Sequence, residues 1–172
     1  EGSVVHLTVG NVQTPPSVRA QAVAQVTTLD GSAVVDGPSA FSVNAIAPGA
    51  FSGVLAFAAT LPFPAVVSTV ELSFRAAGAV YASDSLVLQL PAGWLPNSPS
   101  SIVFESPAGV TGSGSWNASL GALTVKLAGG SATIESATAV RIKLVDVTTP
   151  PSARDADAAS LTSVSADGHV ID

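Results

Sequence analysis

The chain contains no cysteine and no methionine. Without cysteine there is no disulfide framework, no thiolate metal site and no sulfur nucleophile. Without methionine at its first position, a chain opening on Glu1 is expected to derive from a longer or processed polypeptide. Charge is scarce too: 10% of residues are charged, against roughly 25% in an average soluble domain. The 12 acids and 6 bases leave a net charge of −6, with no basic cluster, so a surface for nucleic acid is not expected. Aromatic residues make up only 5%. No run approaches the ~18 uninterrupted apolar residues of a membrane span. The most apolar stretch, residues 47–67, is broken by Pro48, Gly49, Gly53, Pro62 and Pro64.

What remains is apolar, small and turn-rich. Apolar residues make up 47% of the 172, enough for the core of one β-sandwich, or of one sandwich and part of a neighbour. Twelve Pro and fifteen Gly cut the chain into short pieces, as strand-and-turn architectures require. Residues 66–74 (VVSTVELSF), 85–90 (SLVLQL), 123–127 (LTVKL) and 140–147 (VRIKLVDV) alternate apolar with polar, the period-two signature of half-buried strands. Val140, Ile142, Leu144 and Val147 are expected inward, and Arg141, Lys143 and Asp146 outward. Residues 4–9 (VVHLTV) read as a further short strand before Gly10-Asn11. Residues 19–26 (RAQAVAQV) lack an apolar helical face and fit alternation equally well. The fold class expected is all-β.

An internal repeat organises the chain. Thr14-Pro15-Pro16-Ser17 returns as Thr149-Pro150-Pro151-Ser152, and the same offset relates Val12 to Val147 and Arg19 to Arg154. After a small insertion, Leu29-Asp30-Gly31 answers Ala166-Asp167-Gly168. Each copy reads strand, proline corner, second strand, Asp-Gly turn and short strand. Two successive prolines fix two φ angles and remove two donors, so the chain leaves its sheet there. Residues 1–36 are therefore expected to be the C-terminal strands of a preceding repeat, or a donated inter-subunit segment, and residues 37–172 a complete unit, with the seam at Asp36-Gly37-Pro38.

Residues 66–172 resemble an immunoglobulin-like repeat found in tandem in large surface proteins of bacteria, algae and other protists. The similarity lies in Leu86-Val87-Leu88-Gln89-Leu90-Pro91-Ala92-Gly93-Trp94, in the strand and corner from Val140 through Thr149-Pro150-Pro151-Ser152-Ala153, and in Asp167-Gly168-His169-Val170-Ile171-Asp172. The family commonly has Asn where Thr149 stands. The resemblance implies an immunoglobulin-like antiparallel β-sandwich in a tandem-repeat architecture, used as a spacer, stalk or fibre unit, with no shared catalytic site. Residues 41–64 match nothing in that pattern.

Candidate chemistry is thin. His6 and His169 lack the H-x-H or H-E-x-x-H spacing of a metal or acid–base site and read as surface strand residues. Asp155 and Asp157, two apart, suit glycoside hydrolysis or Ca²⁺; the first copy has Ala20 and Ala22 there, so a solvated strand face is the simpler reading. Ser113-Gly114-Ser115 lacks the G-x-S-x-G elbow and reads as a flexible turn. Trp94, Trp116, Phe104 and Tyr81 suit a sugar-binding face or, more simply, an inter-sheet core. Asn117-Ala118-Ser119 is the single N-glycosylation sequon, and Thr14, Thr148 and Thr149 are candidate O-glycan positions. No enzyme, cofactor or metal is expected beyond an N-linked glycan.

The function expected is structural: a subunit or repeat of an extracellular filament, hair or cell-surface stalk. Assembly would be by self-association, with Thr14, Pro15, Pro16, Thr149, Pro150 and Pro151 holding unit-to-unit orientation. Phe51, Phe57 and Phe63 would pack against a neighbour, or the N-terminal strands would complete a neighbour's sheet. The alternative is an adhesin or carbohydrate-binding module of a surface protein.

Overall fold

The computed structural model describes residues 4–12, 15, 18–129 and 133–172, with the side chains of 98–100 excepted. Every regular element among them is an antiparallel β-strand. A two-stranded hairpin comes first, from β1 (Ala22–Asp30) and β2 (Ala33–Val43). The other strands are β3 (Ser52–Ala59), β4 (Val67–Arg75), β5 (Ser85–Gln89), β6 (Leu95–Ser106), β7 (Thr111–Asn117), β8 (Ala122–Ala128), β9 (Ala139–Thr148) and β10 (Ser160–Val164). They join in the order β10-β5-β8-β7-β6-β9-β4-β3. β6 is the link: it pairs with β9 over most of its length and with β7 through Ser100 and Gly114.

Alternation in the sequence becomes burial in the strands. Val70, Leu72 and Phe74 of β4 and Val140, Ile142 and Leu144 of β9 share one buried cluster with Leu86 and Leu88 of β5 and Leu123, Val125 and Leu127 of β8. Each such side chain contributes ~1.5–3 kcal/mol on leaving water. β9 lies between β4 and β6, with Ile142 opposite Leu72 on one side and Phe104 on the other. Its alternation slips at Asp146, which takes φ +59°, a left-handed conformation that Asp tolerates better than most residues. The extra residue turns Val147 inward, to full burial. On the opposite face Lys143 reaches Glu105 at 2.5 Å and Glu71 at 3.8 Å. The Glu105 hydrogen bond, then its charge, raises the Lys143 pKa above the ordinary lysine value.

Three strands are not legible in the alternation: β3, β6 and β7. β3 is an Ala- and Gly-containing strand at the edge, paired among the described residues with β4 alone. β6 carries Pro96 and Pro99, and its register against β9 shifts between Pro96 and Ser101. β7 (TGSGSWN) has few apolar residues, yet every one of its residues is in register with β8. Ser113-Gly114-Ser115 is thus ladder and not the flexible turn expected, because the β8 backbone supplies the partners that its side chains do not specify. Asp155 and Asp157 depart from expectation in the opposite sense: they precede β10 and lie on no strand.

Residues 4–12 form no ladder, although their sequence reads as a strand. Val5, Leu7, Val9 and Val12 are exposed at 83, 80, 67 and 69%, for want of flanking strands. The expected seam at Asp36-Gly37-Pro38 falls inside β2, which pairs with β1 on both sides of it.

Ile142→Ala should cost ~2–5 kcal/mol in urea-induced unfolding. Leu7→Ala, at the matching position of the first copy, should stay within ~0.5 kcal/mol.

Candidate functional site

The second proline corner is built on Thr149, which is buried just beyond the end of β9. Its hydroxyl donates to the Phe63 carbonyl at 2.6 Å and accepts the Val66 N–H at 3.0 Å. Its own N–H donates to the Val66 carbonyl at 2.9 Å, and the Ala65 N–H donates to the Pro150 carbonyl at 2.9 Å. Ser68 does the same work one turn away, accepting the Leu61 N–H at 2.9 Å. Two hydroxyls thus hold the loop of residues 60–66, Thr149 onto the end of β9 and Ser68 onto the start of β4. Prolines supply no donors here, so the corner's polar contacts come from Thr149 and from the Pro150 carbonyl.

Beside this corner lies a groove of about 450 Å³, lined among others by Phe57, Phe63, Trp94, Pro150, Arg154 and Asp157. Phe57 meets Trp94 edge to face, with ring centroids 5.1 Å apart. Arg154 donates to the Ala92 carbonyl at 2.8 Å, tying the segment after the corner to the turn before Trp94. Gly93, at φ +91°, lets that turn approach; a Cβ there would stand 3.3 Å from Pro150 and 3.4 Å from Arg154 Nη2. The floor is therefore aromatic and proline, and the rim carries one guanidinium with the carboxylates of Asp155 and Asp157. Such a surface can seat an apolar side chain of a neighbour or the face of a sugar ring.

The residues singled out in the sequence are distributed as follows. Thr149 and Pro150 form the corner, Pro151 is exposed just beyond it, and Pro15 is exposed in the first copy. Thr14 and Pro16 lie outside the described residues. Of the three phenylalanines, only Phe63 is strongly exposed, at 62%. Phe51 and Phe57 pack against the chain's own core, Phe51 edge to face on Phe74 with centroids 5.0 Å apart. Trp94, Trp116 and Phe104 also pack against that core, whereas Tyr81 is 37% exposed. Asn117 is exposed at the end of β7, where its Oδ1 accepts the N–H groups of Ser119 and Leu120 at 3.1 and 3.2 Å. The sequon therefore sits on the turn into β8.

Two buried carboxylates escaped the sequence reading. Asp84 accepts the N–H groups of Tyr81 and Ala166, both at 2.8 Å. Asp172 accepts the Gly78 N–H at 2.8 Å and the Ser163 hydroxyl at 3.0 Å. A Cβ at Gly78 would come within 2.5 Å of Ile171, so that approach needs glycine. Asp84 and Asp172 join segments far apart in sequence, and such pairs leave no local pattern. Among the described residues, no group of three or more His, Asp or Glu is placed to hold a metal ion, and no helix is long and apolar enough to cross a membrane.

Thr149→Val keeps the shape but strips the acceptor from the Val66 N–H; unfolding should show a loss of ~1–3 kcal/mol. Thr149→Ser, which retains the hydroxyl, should recover most of it. No family model matches this chain, and no curated protein or solved structure is significantly similar to it.

Proposed function

We propose that this chain is a structural module of an extracellular filament, hair or cell-surface stalk, built as an immunoglobulin-like β-sandwich that assembles with neighbouring units of its own kind. The observation that carries this reading is apolar surface that no described residue of the chain covers. Val23, Val26, Leu29, Val34, Val35 and Phe41 of the hairpin are exposed at 50–72%. A single chain gains nothing by presenting such a surface to water, whereas a partner in an assembly removes it. Leu61, Phe63, Val67 and Leu95 add a second exposed apolar area around the proline corner.

The low charge content is consistent with the same reading, because a module enclosed by neighbours and glycans needs few ionic groups for solubility. Asn117 on an exposed turn is accessible to glycosylation, which supports an extracellular setting. The proline corner would then fix the direction in which one unit meets the next. No catalytic role is proposed.

A second reading, an adhesin or carbohydrate-binding module, draws on the groove of Phe57, Trp94, Arg154 and Asp157. Against it, Trp94 already packs on the core and offers only part of its ring to a ligand.

Negative-stain electron microscopy of the native material should reveal fibres with a regular axial repeat. Dispersed single particles at high concentration would overturn the structural reading, and a change in Trp94 fluorescence on adding oligosaccharides would then favour the second. Expressed through a eukaryotic secretory pathway, the chain should lose mass with an N-glycan-cleaving amidase, and Asn117→Gln should abolish that loss.

A further inference from the structure

Among the described residues of 4–36, three positions repeat the end of the chain not only in sequence but in local geometry. At the constant offset of the repeat, Asn11 matches Asp146, and both adopt the same unusual backbone, φ +58° and +59°. Thr28 matches Ser163. Its hydroxyl donates to Asp36 Oδ2 at 3.2 Å, as that of Ser163 donates to Asp172 Oδ2 at 3.0 Å. Gly31 and Gly168, in the two Asp-Gly turns, both take positive φ.

The surroundings differ completely. Val140, Ile142, Leu144 and Val147 are 0–2% exposed, whereas their counterparts Val5, Leu7, Val9 and Val12 stand in water. Asp172 is buried against Gly78; Asp36 is exposed. β10 pairs with β5, but among the described residues β1 pairs with β2 alone. Residues 4–12 thus carry the left-handed residue and the apolar row of a central strand, and β1 the sequence of an edge strand, without the sheets that either requires.

We infer that residues 4–12 and β1 are the two closing strands of another unit of this same fold, one made from the equivalents of residues 37–138. Residues 4–12 occupy the place of β9 in that unit, between its counterparts of β4 and β6, and bury Val5, Leu7, Val9 and Val12. Gln25, Val26, Thr27, Thr28 and Leu29 take the places of β10 residues Ser160, Leu161, Thr162, Ser163 and Val164, opposite the counterparts of Gln89, Leu88, Val87, Leu86 and Ser85. Asp36 closes the site as Asp172 does, on the counterpart of the Gly78 N–H. The joint between units is then a shared sheet, with one chain segment leaving the first unit's core and opening the second. This deepens the repeat reading above and rests on it.

The test is a fusion in which residues 37–138 precede residues 4–172, so that a unit lacking its closing strands is offered upstream of the chain. Hydrogen exchange followed by mass spectrometry should show the amides of residues 5–12 and 25–29 at least ~100-fold slower in the fusion than in the chain alone. Leu7→Asp with Val9→Asp should abolish that gain while the amides of β4 and β9 in the second unit stay protected. Unchanged exchange at residues 5–12, with the second unit still protected, would overturn the inference. So would a gain that survives the double substitution. Because the readout is within one molecule, it is independent of whether native material forms fibres.

Discussion

The burial of β9 between β4 and β6 is the constraint on which the rest of the chain depends. Four of its side chains, Val140, Ile142, Leu144 and Val147, are essentially inaccessible to water, and at ~1.5–3 kcal/mol each their burial outweighs any single polar contact in the molecule. Because strands alternate strictly, this fixes the opposite face, and Lys143 lands between Glu71 and Glu105 as a consequence. The bulge at Asp146 is what lets Val147 join the row, and it brings Thr149 to the loop it clamps.

With so few charges, the long-range connections are made by hydroxyls and isolated carboxylates. Thr149, Ser68, Asp84 and Asp172 each accept backbone N–H groups from a different segment. Each such bond contributes only about 0.5–1.5 kcal/mol net. They do not drive collapse; they decide how loops leave and enter the sheets. No buried side-chain polar atom among the described residues lacks a partner, the condition a charge-poor β protein must meet.

The contrast between the two ends of the chain connects fold and function. One copy of the closing segment is buried and the other is not, although both keep the same left-handed residue and the same hydroxyl-to-carboxylate bond. Local structure is therefore written into the segment itself, while burial depends on what lies beside it.

The sequence by itself determined the all-β class, the strands β4, β5, β8 and β9, and the strand–corner–strand–turn order of the second copy. Period-two alternation and turn residues are local signals, so they are readable in a single chain. It also marked Thr149 and Pro150 as a corner. Only the tertiary structure decided that β7 is a strand, because its Gly and Ser residues take their conformation from the β8 ladder. It alone placed Phe51 and Phe57 on the core and left Phe63 outside, drew Trp94, Arg154 and Asp157 into one groove, and buried Asp84 and Asp172. Those outcomes depend on partners many residues away, and no local pattern encodes which strand will lie beside which.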